Sequence, residues 1–138
     1  MVVSVVNLIT KVYPSLADVY AQVTEVNEET GETINIWDYD NPMTIKCNVY
    51  AINPQDSLEQ FGEFYNKKIF LKIEYPSDVI RLSDQVGRLR RKDNGVHYYG
   101  SSLRPMVFNV SGISAQVDQL GNATGYAAYL EYYRTLEL

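Results

Sequence analysis

Met106-Val-Phe-Asn-Val-Ser-Gly-Ile-Ser-Ala-Gln-Val117 is the stretch whose reading decides the fold. Met106, Phe108 and Val110 alternate with Val107, Asn109 and Ser111, which is the period of a half-buried strand. The next apolar set, Ile113, Ala115 and Val117, is out of phase with the first by one residue. Gly112 lies at the slip. One extra residue in a strand shifts the phase in this way and bends the strand, so a β-bulge is expected there. On this reading the glycine is needed, and Gly112→Val should cost folding. Asp118-Gln-Leu-Gly-Asn-Ala-Thr-Gly125 then reads as a hairpin connection, and the tyrosine-rich run 126–136 pairs back. Residues 127–138 also suit a helix by their Ala, Leu, Glu and Arg content. Alternation at Ala128, Leu130 and Tyr132 favours the strand. A long, bent hairpin of this kind closes a small β-barrel.

The remaining chain supplies further strands. Met43, Ile45, Cys47, Val49 and Ala51 alternate with Thr44, Lys46, Asn48 and Tyr50, and a helix would scatter them around its circumference. Ile69, Leu71, Ile73 and Tyr75 do the same up to Pro76. Ala17, Val19, Ala21 and Val23 alternate with polar residues, and Asn27-Glu-Glu-Thr-Gly-Glu32 is a polar turn, so residues 17–38 read as one antiparallel hairpin. Residues 79–82 are a short strand candidate. Between the clear strands, Leu58, Phe61, Phe64 and Tyr65 are spaced by three and four, which fits a short helix capped by Asp56 or Ser57, or a loop with one helical turn. Residues 87–105 form the longest stretch without a period and read as a long basic loop. Residues 1–16 read as an N-terminal arm, either strand or extended, with a short helix as the alternative. The expected fold is all-β: a single-domain small antiparallel β-barrel over residues 1–138, with one short helical loop and long hairpins.

Charge is unevenly distributed. The net charge of -5 disfavours bulk electrostatic wrapping of nucleic acid. Glu25, Glu28, Glu29, Glu32, Asp38 and Asp40 occupy a window with no Lys or Arg, whereas Arg88, Arg90, Arg91, Lys92 and Arg104 fall in a window whose only acid is Asp93. Opposite-sign patches of this kind can join copies of a chain or complementary neighbours. Tyr98 and Tyr99 beside the arginines also fit a barrel that stacks single-stranded nucleic acid, which is the alternative reading. Catalytic chemistry has little to build on. The single histidine, His97, excludes a His-based metal cluster, and the single Cys47 falls on the apolar face of a strand. Asp38 and Asp40 could share one face of an extended segment, but two carboxylates beside a turn are ordinarily solvated. No phosphate loop, nucleophile elbow or zinc spacing occurs. No enzymatic activity and no cofactor are expected. The apolar start lacks a basic leader and is too short to span a bilayer, so no membrane partner is expected.

Taken together, the order of elements resembles the head-completion (head-closure, or stopper) proteins of tailed bacteriophages. The resemblance covers roughly residues 20–136 and is one of pattern. A strand such as Thr44-Ile-Lys-Cys-Asn-Val-Tyr50 leads into the Pro- and Ser-containing segment from Asn53-Pro54, then a strand like Lys68-Ile-Phe-Leu-Lys-Ile-Glu74, a short Ile80-Arg-Leu-Ser-Asp84 stretch and a final hairpin. The chain differs from the family between Asp84 and Met106, where members usually have a short glycine turn. The resemblance implies a virion protein assembled in the host cytoplasm, forming a cyclic homo-oligomer in the neck. Such a ring joins the portal-adaptor complex to the tail and seals the DNA channel. Its partners would be itself and the adaptor-side and tail-side proteins, and DNA would pass without sequence-specific binding. The family's channel-facing loop maps to Asp56, Glu59, Phe61 and Glu63. Subunit or partner contacts would come from Glu28, Glu29, Glu32, Arg88, Arg90, Arg91, Lys92, Tyr98 and Tyr99, with the arginine cluster gripping an acidic hairpin on the next copy.

Overall fold

The computed structural model of the chain describes residues 12–52 and 70–137. Eight strands follow in order: β1 (Ser15–Tyr20), β2 (Gln22–Val26), β3 (Thr33–Trp37), β4 (Met43–Ala51), β5 (Phe70–Tyr75), β6 (Gln85–Arg91), β7 (Met106–Val117) and β8 (Ala123–Thr135). Six of them close into an antiparallel barrel in the order β1-β4-β5-β8-β7-β6, and β2 and β3 form a separate two-stranded ribbon. The expected all-β barrel is therefore the observed fold. The helical-loop expectation at 55–66 and most of the N-terminal arm lie outside the described residues, although Ser15 and Leu16 of that arm already belong to β1.

The barrel interior follows from alternation. Leu71, Ile73 and Tyr75 of β5 point into the core with Phe108 and Val110 of β7 and with Ala128 and Leu130 of β8. Fully burying a side chain such as Leu71 or Ile73 contributes about 1.5–3 kcal/mol. Cys47, from the inward face of β4, is wholly buried, and burial pushes its thiol up to about 12. A thiol held so high is an inert packing group.

The β7–β8 hairpin contains the expected slip. Val110 pairs with Leu130 and Gly112 with Tyr129, leaving Ser111 as the extra residue. Its hydroxyl donates to the Tyr129 carbonyl at 3.0 Å. The glycine, however, is not what the bulge requires. A Cβ at Gly112 would meet only a Tyr129 ring carbon at 3.7 Å, an ordinary contact. The demanding position is Gly100, at φ 75°, where a Cβ would lie 2.5 Å from the Arg104 carbonyl oxygen.

Three other expectations are corrected. Residues 79–82 are not a strand: the chain turns over residues 81–84, where the Asp84 amide donates to the Arg81 carbonyl at 3.0 Å and the Asp84 carboxylate accepts from the Arg81 amide at 2.8 Å, and Ile80 drops into the core. Residues 17–38 are not one hairpin, because Ser15–Tyr20 belongs to the barrel wall and only Gln22–Val26 pairs with Thr33–Trp37. The stretch read as a long basic loop begins with strand β6. Its apolar residues escape the period because Val86 and Leu89, both in the core, are three apart. The cause is a bulge. Leu16 faces Arg90 and Asp18 faces Gly87, so Ala17 alone spans Arg88 and Leu89, and Arg88 takes φ 50°. Space is tight at Gly87 beside it, where a Cβ would lie 3.0 Å from a Tyr20 ring carbon and 3.0 Å from the Met106 carbonyl oxygen, so these neighbours would have to give way slightly.

Urea unfolding should separate the two glycines: Gly100→Ala is expected to lose more than about 2 kcal/mol through left-handed strain and backbone collision, and Gly112→Ala less than about 1 kcal/mol.

Candidate assembly surface

The β2–β3 ribbon is exposed along almost its full length, and only its base is held. Cross-strand partners share a face, so Val23 with Ile36 and Glu25 with Ile34 lie on one side, and Thr24 with Asn35 and Val26 with Thr33 on the other. Val23, Val26 and Ile34 are all exposed. At the tip the Asn27 side chain accepts from the Glu29 amide at 3.0 Å, the Gly31 amide donates to the Asn27 carbonyl at 2.7 Å, and Gly31 takes φ 73°. This local turn places Glu28, Glu29 and Glu32 in solvent.

At the base a set of aromatic and polar groups clamps the ribbon to the outer wall of the barrel. The Trp37 indole donates to the Ser83 carbonyl at 2.8 Å, and the Tyr39 hydroxyl donates to the Gln85 amide oxygen at 2.6 Å. Gln85 is completely buried and donates in turn to Asn109 at 2.7 Å. Tyr39 meets Tyr20 edge-on at 5.0 Å, and the Arg134 guanidinium lies over Tyr39 and Tyr133 at 5.6 and 5.8 Å. Sequence reasoning missed Trp37, Tyr39, Gln85 and Arg134. Trp37 falls at the end of the expected 17–38 hairpin and Tyr39 just beyond it, and nothing in the local pattern shows which wall the two aromatics lean on.

At the opposite end of β1 lies the arginine cluster. Asp18, on the outer face, is nearly buried, and its Oδ1 accepts from Arg90 at 3.2 Å through both terminal nitrogens and from the Thr44 hydroxyl at 2.8 Å. Arg88 approaches the other oxygen at 4.0 Å. Arg88 and Arg90 are therefore committed to a carboxylate of their own chain. Arg91 holds Asp93 through two hydrogen bonds, of 2.8 and 3.1 Å, in the open, and Lys92 is exposed. The Tyr98 hydroxyl is 2.7 Å from the Ser15 hydroxyl, and Tyr99 packs edge-on against Phe108 at 6.1 Å. Of the residues expected to grip a partner, Glu28, Glu29, Glu32, Arg91 and Lys92 are presented to solvent. Arg88, Arg90 and Tyr99 are turned to structural use. Asp56, Glu59, Phe61 and Glu63 lie outside the described residues.

No protein-family model matches the chain, and no curated protein matches it. Among the described residues no group of three or more His, Cys, Asp or Glu side chains is placed to hold a metal ion. His97 forms an isolated bridge with Arg90, and burial together with the nearby Arg90 and Arg88 charges lowers its pKa below the ordinary 6.5.

Two measurements check these contacts. Tyr39→Phe removes the donor to buried Gln85 and is expected to cost about 1–3 kcal/mol in chemical denaturation. His97 stays neutral in the fold to lower pH than in the unfolded chain, so the unfolded state gains the extra proton as pH falls through 6.5. Stability should therefore drop on acidification, and the drop in melting temperature between about pH 7.5 and about pH 5.5 should be smaller in His97→Gln.

Proposed function

We propose that this chain is a ring-forming structural subunit of the head-to-tail connector of a tailed bacteriophage. In that role copies assemble in the host cytoplasm into a closed ring between the portal-adaptor complex and the tail. The ring seals the DNA channel in the virion and lets DNA pass without sequence-specific binding. The observation that carries the proposal is the β2–β3 ribbon, which displays Val23, Val26 and Ile34 to solvent while its base is clamped to the barrel. An isolated two-stranded ribbon is marginally stable in water, and the other described residues leave Val23 and Ile34 on one face of this one, and Val26 on the other, exposed. Such a part gains its support from a neighbour. The barrel beneath it offers an inert frame: the described interior is filled by side chains and the one thiol is buried. The pattern resemblance to head-completion proteins supplies the setting.

The alternative, a barrel that binds single-stranded nucleic acid, is less well supported by the geometry. Stacking needs aromatic faces beside free cations, yet Tyr99 is packed against Phe108 and two of the clustered arginines are paired with Asp18.

The purified chain is expected to form discrete closed oligomers by mass photometry and to add to emptied capsids without added DNA. Filter binding should detect no tight, salt-sensitive retention of a labelled single-stranded oligonucleotide. A monomer that retained the oligonucleotide would reverse the choice.

A further inference from the structure

The ribbon and the end of β8 enclose a cleft of about 610 Å³. Val23, Ile36 and Trp37 give it an apolar wall, while Glu25, Asp38, Asp40 and Glu137 line it with four carboxylates against one cation, Arg134. That cation already rests on Tyr39. An apolar slot with surplus negative charge suits a compact backbone segment that carries cations beside a small apolar side chain.

The chain presents one such element at the far end of β1. The 91–96 turn exposes Arg91, Lys92 and Val96. It is held by its own hydrogen bonds: the Gly95 amide donates to the Arg91 carbonyl at 2.9 Å, the Arg91 amide to the Val96 carbonyl at 2.9 Å, and the Val96 amide to the Asn94 side chain at 3.0 Å. A preformed turn loses little conformational freedom on docking. Arg91 is held by Asp93, but both side chains are more than half exposed, at 51% and 64%, and such a pair exchanges partners at small cost.

The two surfaces belong to opposite ends of one strand. Arg91 is opposite Ser15, and the ribbon departs immediately after Tyr20. The five residue-to-residue steps of extended strand from Ser15 to Tyr20 separate those ends by about 17 Å. A contact between the turn and the cleft therefore joins two chains. We infer that the cleft of one copy receives the 91–96 turn of the next. The contact is heterologous, since each copy offers a different surface on each side, and a heterologous contact that closes gives a ring. The inference rests on the ring-forming role proposed above and specifies which surfaces meet.

Charge reversal of the full chain tests it. One variant carries Arg91→Glu and Lys92→Glu, the other Glu25→Lys and Asp40→Lys; all four positions are exposed, and unchanged melting curves would confirm folding. Each variant alone should require at least about tenfold more protein to assemble than the original chain. Mixing the two should restore assembly, because each reversed surface again meets an opposite one, and a chain carrying all four substitutions should assemble unaided. In addition, chains bearing Val23→Cys mixed with chains bearing Val96→Cys should cross-link under mild oxidation. Oligomers that survive both reversals, or variants that mixing fails to rescue, would overturn this contact and leave the ring-forming role standing. An original chain that stays monomeric at every concentration would sink both. Reversed-cleft chains that still form rings but no longer bind a basic protein of the assembled particle would give the cleft to that partner instead.

Discussion

Closure of the barrel depends on β6 pairing with β1 as well as with β7, and β6 is the strand least suited to a wall. It carries Arg88, Arg90 and Arg91 within seven residues. Three guanidinia on one short strand repel one another and resist burial. Asp18 resolves the conflict from the facing strand. Its carboxylate lies between Arg90 and Arg88, with Thr44 filling a further acceptor position. The bulge at Arg88 belongs to the same solution. By taking φ 50°, Arg88 brings Leu89 inward while its own side chain reaches back towards Asp18. Gly87 lets Tyr20 and the Met106 carbonyl approach closely enough for β6 to be held on both sides. Without that seam the six strands would form an open sheet with two exposed edges, a surface that invites unplanned pairing.

This seam also explains where the sequence was readable. Strands β4 and β5 keep their period, and of the three register shifts between β7 and β8 the one at Ser111 shows as a phase change, so the faces could be assigned from Ile45, Cys47, Leu71, Ile73, Phe108 and Leu130. Strand β6 was hidden because its bulge converts a spacing of two into one of three between Val86 and Leu89. The boundary between β1 and the ribbon was hidden for the opposite reason. Ala17, Val19, Ala21 and Val23 alternate without a break although the chain leaves the barrel at Ala21. The candidate surface was legible as two charge windows and no further. The pairing of Asp18 with Arg88 and Arg90 spans about seventy positions, and no local pattern announces which cations a distant carboxylate will claim. The glycine pattern misled in a similar way. Gly112 marks the slip, yet space is tight at Gly87 and Gly100 instead, where the backbone of another segment passes close by.

The division of labour that results is spatial. Among the described residues, Asp18, Arg88 and Arg90 of the barrel wall pair with one another, while the ribbon tip, the cleft and the 91–96 turn present charge outward. The wall between them sets their separation, and in the proposed ring a fixed separation would let identical copies repeat at a constant angle. Flexible placement of the same charges would permit many relative orientations and favour none.

Trp37 adds a consequence of a different kind. It is the chain's one tryptophan, and it stands where the ribbon meets the barrel, with its indole nitrogen bound to the Ser83 carbonyl and its ring 6.2 Å from that of Tyr133. The long-wavelength emission of the whole molecule therefore originates at a single joint. Any event that tilts, covers or releases the ribbon changes the polarity around that one fluorophore. The molecule carries its own optical gauge of the joint, with no dye attached and no second indole to blur the signal.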